Sequence, residues 1–194
     1  EYHSYEALVL PDILHHVVAA ANKYDAVIIG GYYDVGLREA REVSGNTVVI
    51  GPCEATTAIA RALGNRFSVI VGRQKWITKM SENVKLYGHQ DHMSSMRAVD
   101  LGVHDIRSRH DAEQRFLDVG EKCVNDDKAE VLILGCTAEY GFSEVMQTKL
   151  QVPVIEAIPA ALKYAEMLVD GIKGYGWHTS RKWGSEPPHE SEIE

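Results

Sequence analysis

No apolar run in these 194 residues approaches the roughly 20 that a helix needs to cross a bilayer. No charged, apolar and small-residue leader pattern is visible either. Cysteine is scarce, with only Cys53, Cys123 and Cys136. Three cysteines exclude a disulfide framework, and no CxxC or Cys/His zinc spacing occurs. They read as reduced thiols of a cytoplasmic protein. Positive charge is outweighed: a net charge of −8 argues against nucleic acid as the main partner. Neither GxGxxG nor GxxxxGK[ST] is present, so no nucleotide site is expected. No low-complexity stretch or Gly/Ser linker divides the chain. What remains is an ordinary globular composition, 45% hydrophobic and 25% charged, in which a sizeable core is possible.

The most informative feature present is an internal repeat. Asp25-Ala-Val-Ile-Ile-Gly-Gly31 reads onto Glu130-Val-Leu-Ile-Leu-Gly-Cys136, an offset of 105 residues between positions 31 and 136. At the same offset Asp34-x-Gly36-Leu37-x-Glu39 falls on Glu139-x-Gly141-Phe142-x-Glu144, and Val49-Ile50 falls on Val154-Ile155. One offset shared by several elements predicts two similar halves. They disagree at one telling position, where the first has Gly31 and the second a thiol, Cys136. The second half is also preceded by two strand candidates, 67–71 and 96–101, whose first-half partners would carry negative numbers. The expectation is therefore that an N-terminal strand–helix portion is missing from this chain.

Short β-branched runs alternate with helical patterns, as in parallel sheets with crossover helices. Strands are expected at 25–29, 47–50, 67–71, 96–101, 131–134 and 154–155. Helices are expected at 11–23, 35–43, 54–63, 76–86, 110–125, 142–150 and 159–172, with a polar trailing arm from 174. The fold expected is α/β: two pseudo-symmetric Rossmann-like lobes with parallel sheets and the active site in the cleft between them. Residues 1–65 with 154–194 form the first lobe, and 66–153 the second.

Ligands in parallel α/β sheets sit at the carboxyl ends of strands. Those ends carry Gly30-Gly31-Tyr32-Tyr33, Cys53-Glu54 and Gly135-Cys136-Thr137-Ala138. Glycine lets backbone amides approach a carbonyl or carboxylate closely, and Thr137 adds a hydroxyl. Cys136 follows a strand and precedes a helix, a place whose dipole favours a thiolate able to move a proton next to a carbonyl; the alternative is an inert strand-end cysteine. Cys53 is read more readily as a small wall residue than as a second thiol, Cys123 as core, and Glu54 as a helix-start acid rather than a general base. Tyr32 and Tyr33 offer an aromatic wall or a hydroxyl. His89 and His92 lie in a polar loop without a third ligand, so no metal site is expected.

These stretches resemble the aspartate/glutamate/hydantoin racemase superfamily, closest to its hydantoin and allantoin racemase branch. The likeness rests on residues 25–41, on Arg66–Val71, on Gly135-Cys136-Thr137-Ala138-Glu139, on Val152–Glu156 and on the tail with Thr179-Ser180-Arg181 and Pro187-Pro188. It implies a homo-oligomeric enzyme without metal or organic cofactor. Two cysteines would face each other across the substrate, one removing the α-proton and the other returning a proton. Cys136 matches the second; the first falls on Gly31. Arylmalonate decarboxylases of the superfamily likewise keep one thiol and carry glycine at the first position.

The function expected is thus proton transfer at a carbon next to a carbonyl, by a racemase or isomerase of a hydantoin-like or amino-acid-derived compound. Cys136 is the catalytic residue, and Gly30, Gly31, Tyr32, Tyr33, Cys53, Glu54, Gly135, Thr137 and Ala138 contact substrate. A single-thiol lyase and a non-catalytic small-molecule binding protein are the alternatives. The partner is a small molecule, with no role for nucleic acid or membrane.

Overall fold

The computed structural model describes residues 2–108 and 112–189. Along the described residues the chain forms α1 (His3–Ala20), β1 (Ala26–Ile28), α2 (Leu37–Val43), β2 (Val48–Ile50), α3 (Pro52–Leu63), β3 (Phe67–Val71) and α4 (Ile77–Leu86). It continues with β4 (Met93–Ala98), α5 (Val103–Ser108), α6 (Ala112–Asn125), β5 (Val131–Leu134), α7 (Ser143–Leu150), β6 (Val154–Glu156) and α8 (Ala157–Tyr175). β1 and β2 pair in parallel, and β4-β3-β5-β6 form a second parallel sheet in that order. Parallel neighbours need crossover connections, and helices supply them.

In the second sheet, side chains alternate between two apolar layers, as a period of two requires. Phe67, Val69, Val71, Val131 and Ile133 face Met80 and Val84 of α4 and Cys53 and Ala60 of α3. Ile70, Leu132 and Leu134 face Phe116 of α6 and Met146 of α7. β3 and β5 are therefore buried on both faces, which explains their unbroken apolar sequences. In the first sheet Val49 packs with Val17 of α1 and Leu37 of α2. On its other face Val48 and Ile50 pack with Ala55 of α3 and Ala161 and Ala165 of α8. Because α3 feeds both sheets' cores, the lobes share apolar contacts.

The repeat extends to strand register. Val27 pairs with Val49, and at the same offset of 105 Leu132 pairs with Val154. β1 is bonded to a strand on one edge only among the described residues, whereas β3 occupies the matching edge of β5.

Several boundaries differ from expectation for physical reasons. α1 begins at His3, so Pro11 lies inside the helix rather than in its first turn. Tertiary contacts secure the earlier turns: Glu6 pairs with Lys79, and the His3 ring meets the Trp76 ring edge-on at 4.8 Å. β4 starts three residues before the expected 96, with Ser68 and Ser95 hydroxyls bonded across the pair at 2.8 Å. α5 was not anticipated. His110, the expected start of α6, lies outside the described residues. Residues 154–156 were assigned to the first lobe, yet β6 bonds to β5, and the chain crosses to the first lobe only with α8. The tail is not a loose arm throughout, because the Arg181 guanidinium donates to the Arg41 carbonyl and the Ser44 hydroxyl.

Phe67 sits at the centre of the shared layer and is fully buried. Phe67→Ala should cost about 3–5 kcal/mol. Urea unfolding should show this as a lower midpoint at an unchanged slope.

Candidate active site

Cys136 stands at the carboxyl end of β5 with extended backbone and is half-buried, whereas Cys53 and Cys123 are sealed in the core. Only a short 3-10 turn, Thr137–Glu139, follows it; α7 begins at Ser143. The helix-dipole argument made from sequence therefore does not apply, because that field acts within the first turn. Thr137 and Ala138 are also half-buried, and the Thr137 hydroxyl makes no hydrogen bond among the described residues.

The first-lobe loop is built differently from expectation. Its Gly31 N–H turns back to the Ile29 carbonyl at 2.9 Å, and in the second lobe the Gly135 N–H bonds the Ile70 carbonyl at 2.7 Å. These two amides are thus not aimed at a ligand. A Cβ on Gly30 or Gly31 would meet open space, whereas one on Gly135 would press on Val69 and the Ile70 carbonyl at 2.8 and 2.9 Å. Glycine is obligatory at 135 for close packing, but not at 31.

Tyr32 and Cys53 were expected to touch substrate; both are core residues instead. Tyr32 is 2% exposed, and its hydroxyl bonds that of Thr56 at 3.2 Å. Burial, then the nearby Cys53, pushes the Tyr32 hydroxyl up; burial, then Asp34, pushes the Cys53 thiol up. Neither is fit to take a proton at neutral pH. Tyr32 does anchor the Gly31 loop in the apolar layer over β3 and β5, the strand that ends in Cys136. Tyr33 stacks on Trp76 at 4.2 Å and, with Gly30 and Gly31, lines a mainly apolar cavity of about 430 Å³. Glu54 is held by the Arg41 guanidinium, with one bond of 3.1 Å, and sits in the first turn of α3, as its helix-start reading requires. It faces a second cavity of about 640 Å³, of mixed polarity, with Asp34, Arg41 and Tyr87. Cys136, Thr137 and Ala138 line neither cavity. No cluster of three metal-ligating side chains exists among the described residues.

In the sequence Asp34 stands out only through the repeat. Its buried carboxylate accepts the amides of Cys53 (3.0 Å) and Glu54 (2.9 Å) and the Tyr87 hydroxyl (2.7 Å). It thereby ties the Gly31 loop to α3 and α4. Its backbone is left-handed, with φ of 52°, a conformation Asp tolerates better than most residues. Gly51 has no room for a side chain because the Asp34 carboxyl fills that space. In the second lobe the analogous grip comes from Glu156, which accepts the amides of Gly141 (2.7 Å) and Ser143 (3.0 Å).

Burial pushes the Asp34 carboxyl from 3.8 up to about 6, against the pull of its three donors. A raised folded-state pKa means the native state keeps a proton that the unfolded chain gives up. The stability from that proton is full below about pH 4 and is lost as pH rises to about 6. Urea midpoints measured across this window should fall in the native chain, and Asp34→Asn should flatten that slope.

Residues 1–165 match the Asp/Glu/Hydantoin racemase family. The chain is 34% identical over 178 residues to a hydantoin racemase of Rhizobium meliloti, covering 91% of this chain and 72% of that protein. It is 32% identical over 167 residues to a hydantoin racemase of Pseudomonas sp. (strain NS671), covering 85% and 67%. An allantoin racemase structure from Pseudomonas fluorescens superposes with a TM-score of 0.87 at 28% identity, over 95% of this chain and 77% of that one. With its two parallel α/β halves and a thiol at the end of β5, this chain belongs to the Asp/Glu/hydantoin racemase family.

Proposed function

We propose that this protein is a cofactor-independent racemase of a hydantoin-like or amino-acid-derived small molecule, with Cys136 as its acid/base. One observation carries the assignment of the thiol: of three cysteines, only Cys136 is reachable by solvent, at a strand's carboxyl end. In the reaction, the Cα–H bond next to a carbonyl breaks and its proton passes to the thiolate. The carbonyl oxygen takes up the charge as an enolate, and a proton delivered to the opposite face gives the mirror-image product. Thr137 supplies a hydroxyl donor near the thiol.

The opposite face belongs to the Gly31 loop. Burial removes Tyr32 and Cys53 as bases there. Tyr33 is the ionisable side chain of that loop that lines a cavity with Gly31, and it serves that face directly or through water. Gly31 also favours a second reading, a single-thiol lyase, because loss of CO2 from a malonate-type acid needs protonation on one face only.

The cytoplasm and a homo-oligomer complete the proposal. The scarcity of cysteine supports the first. Exposed apolar side chains, Ile158 and Leu162 on α8 among them, support the second. No helix among the described residues is long and apolar enough to cross a membrane.

A hydantoin incubated in D2O tests the reaction. Inversion accompanied by α-deuteration supports the racemase, and Cys136→Ala should slow both by about 10²–10⁴-fold. Gly31→Cys, for which the backbone has open space, should raise inversion by roughly tenfold or more. Release of CO2 from an arylmalonate with a single product enantiomer would move the assignment to the lyase.

A further inference from the structure

Glu139 is fully buried, and among the described residues neither carboxyl oxygen accepts a hydrogen bond, although the main-chain amides of Gly135 and Cys136 lie close to it. It occupies the repeat position of Asp34, but one of the two main-chain donors that serve Asp34 has no counterpart here. The amides of Cys53 and Glu54 correspond to those of Ile158 and Pro159, and proline has no N–H. The amides of Gly141 and Ser143, on the same loop, already bind Glu156. Glu139 also closes the turn that carries the thiol: its N–H donates to the Cys136 carbonyl at 3.0 Å.

We propose that Glu139 is a positioning residue for Cys136: its side chain, sealed behind the turn, backs the Gly135–Cys136 peptide and fixes the direction in which the thiol leaves β5. A carboxylate so buried and so poorly served is too costly to keep charged. Burial accordingly pushes the Glu139 carboxyl well up, and the main-chain amides of Cys136 and Gly135 only partly oppose it. As an uncharged acid it fills the space behind the turn without setting a negative charge against the nearby thiolate. An apolar side chain there would remove the polar group that lies nearest the Gly135–Cys136 peptide.

The inference rests on Cys136 being the working acid/base, but its test reads the thiol directly. Cys53 and Cys123 are sealed, so iodoacetamide labelling of the folded 194-residue chain reports Cys136, with Cys136→Ala as the blank. Glu139→Gln keeps shape and neutrality and should leave the pH midpoint and the rate of labelling as in the native chain. Glu139→Leu fills the volume without a polar group; it should change the labelling rate at about pH 8 by roughly threefold or more. In turnover it should lower kcat by about tenfold with KM kept within about twofold. Near-UV circular dichroism shows that each variant is folded. If Glu139→Leu labels like the native chain, Glu139 is core filler and the proposal fails. If Glu139→Gln lowers the midpoint, the carboxyl was charged and the proposal fails as well. Absence of any turnover in the native chain would sink the racemase reading alone and leave the labelling result standing.

Discussion

A buried carboxylate gripping main-chain amides is the interaction on which the geometry of both strand-end loops depends. Parallel sheets bring strand ends together but leave the loops that follow them unsupported. Here Asp34 reaches from the loop after β1 to the amides at the start of α3, and Glu156 reaches from the end of β6 to those around the start of α7. Helix N-termini are suited to such charges, since their first amides lack partners within the helix. For Asp34 the cost of burial exceeds what its three hydrogen bonds return, and the Tyr87 hydroxyl extends its grip to α4.

The two halves use the same device from opposite sides. In the first the acid lies on the earlier loop, and the later strand end carries Gly51, which leaves room for it. In the second the acid, Glu156, stands at the position matching Gly51. The position matching Asp34 holds Glu139, whose buried carboxyl accepts no hydrogen bond among the described residues. A repeat that keeps strand register to the residue has thus diverged in the loops, where chemistry is carried. The difference between Gly31 and Cys136 belongs to the same divergence.

Much of the fold was legible because strand burial writes itself into sequence. Phe67–Val71 and Val131–Leu134 are continuous apolar runs and were bounded correctly. β4 was misplaced because its residues are of mixed polarity and only half-buried, so neither periodicity nor hydrophobicity marks its start. The start of α1 was hidden because its first turns are fixed by Lys79 and Trp76, more than 70 residues away. At the site, the Gly31/Cys136 asymmetry was readable from the repeat, and so was the helix-start role of Glu54. The burial of Tyr32 and Cys53 was not, because a strand-end position does not say which way a side chain turns. Asp34 and Glu139 were visible as matched acids, yet their roles depend on which amides the fold brings within reach.

The uneven burial of the three thiols carries a consequence for damage. An oxidant reaching the folded protein meets Cys136 and finds the other two thiols sealed. With the other two thiols buried, a sulfenic acid formed there lacks an exposed cysteine to convert it to a reducible disulfide, and further oxidant would carry it to the sulfinic and sulfonic acids. Small-molecule thiols could rescue it only at the sulfenic stage; once further oxidant has carried it past that stage, recovery needs newly made protein.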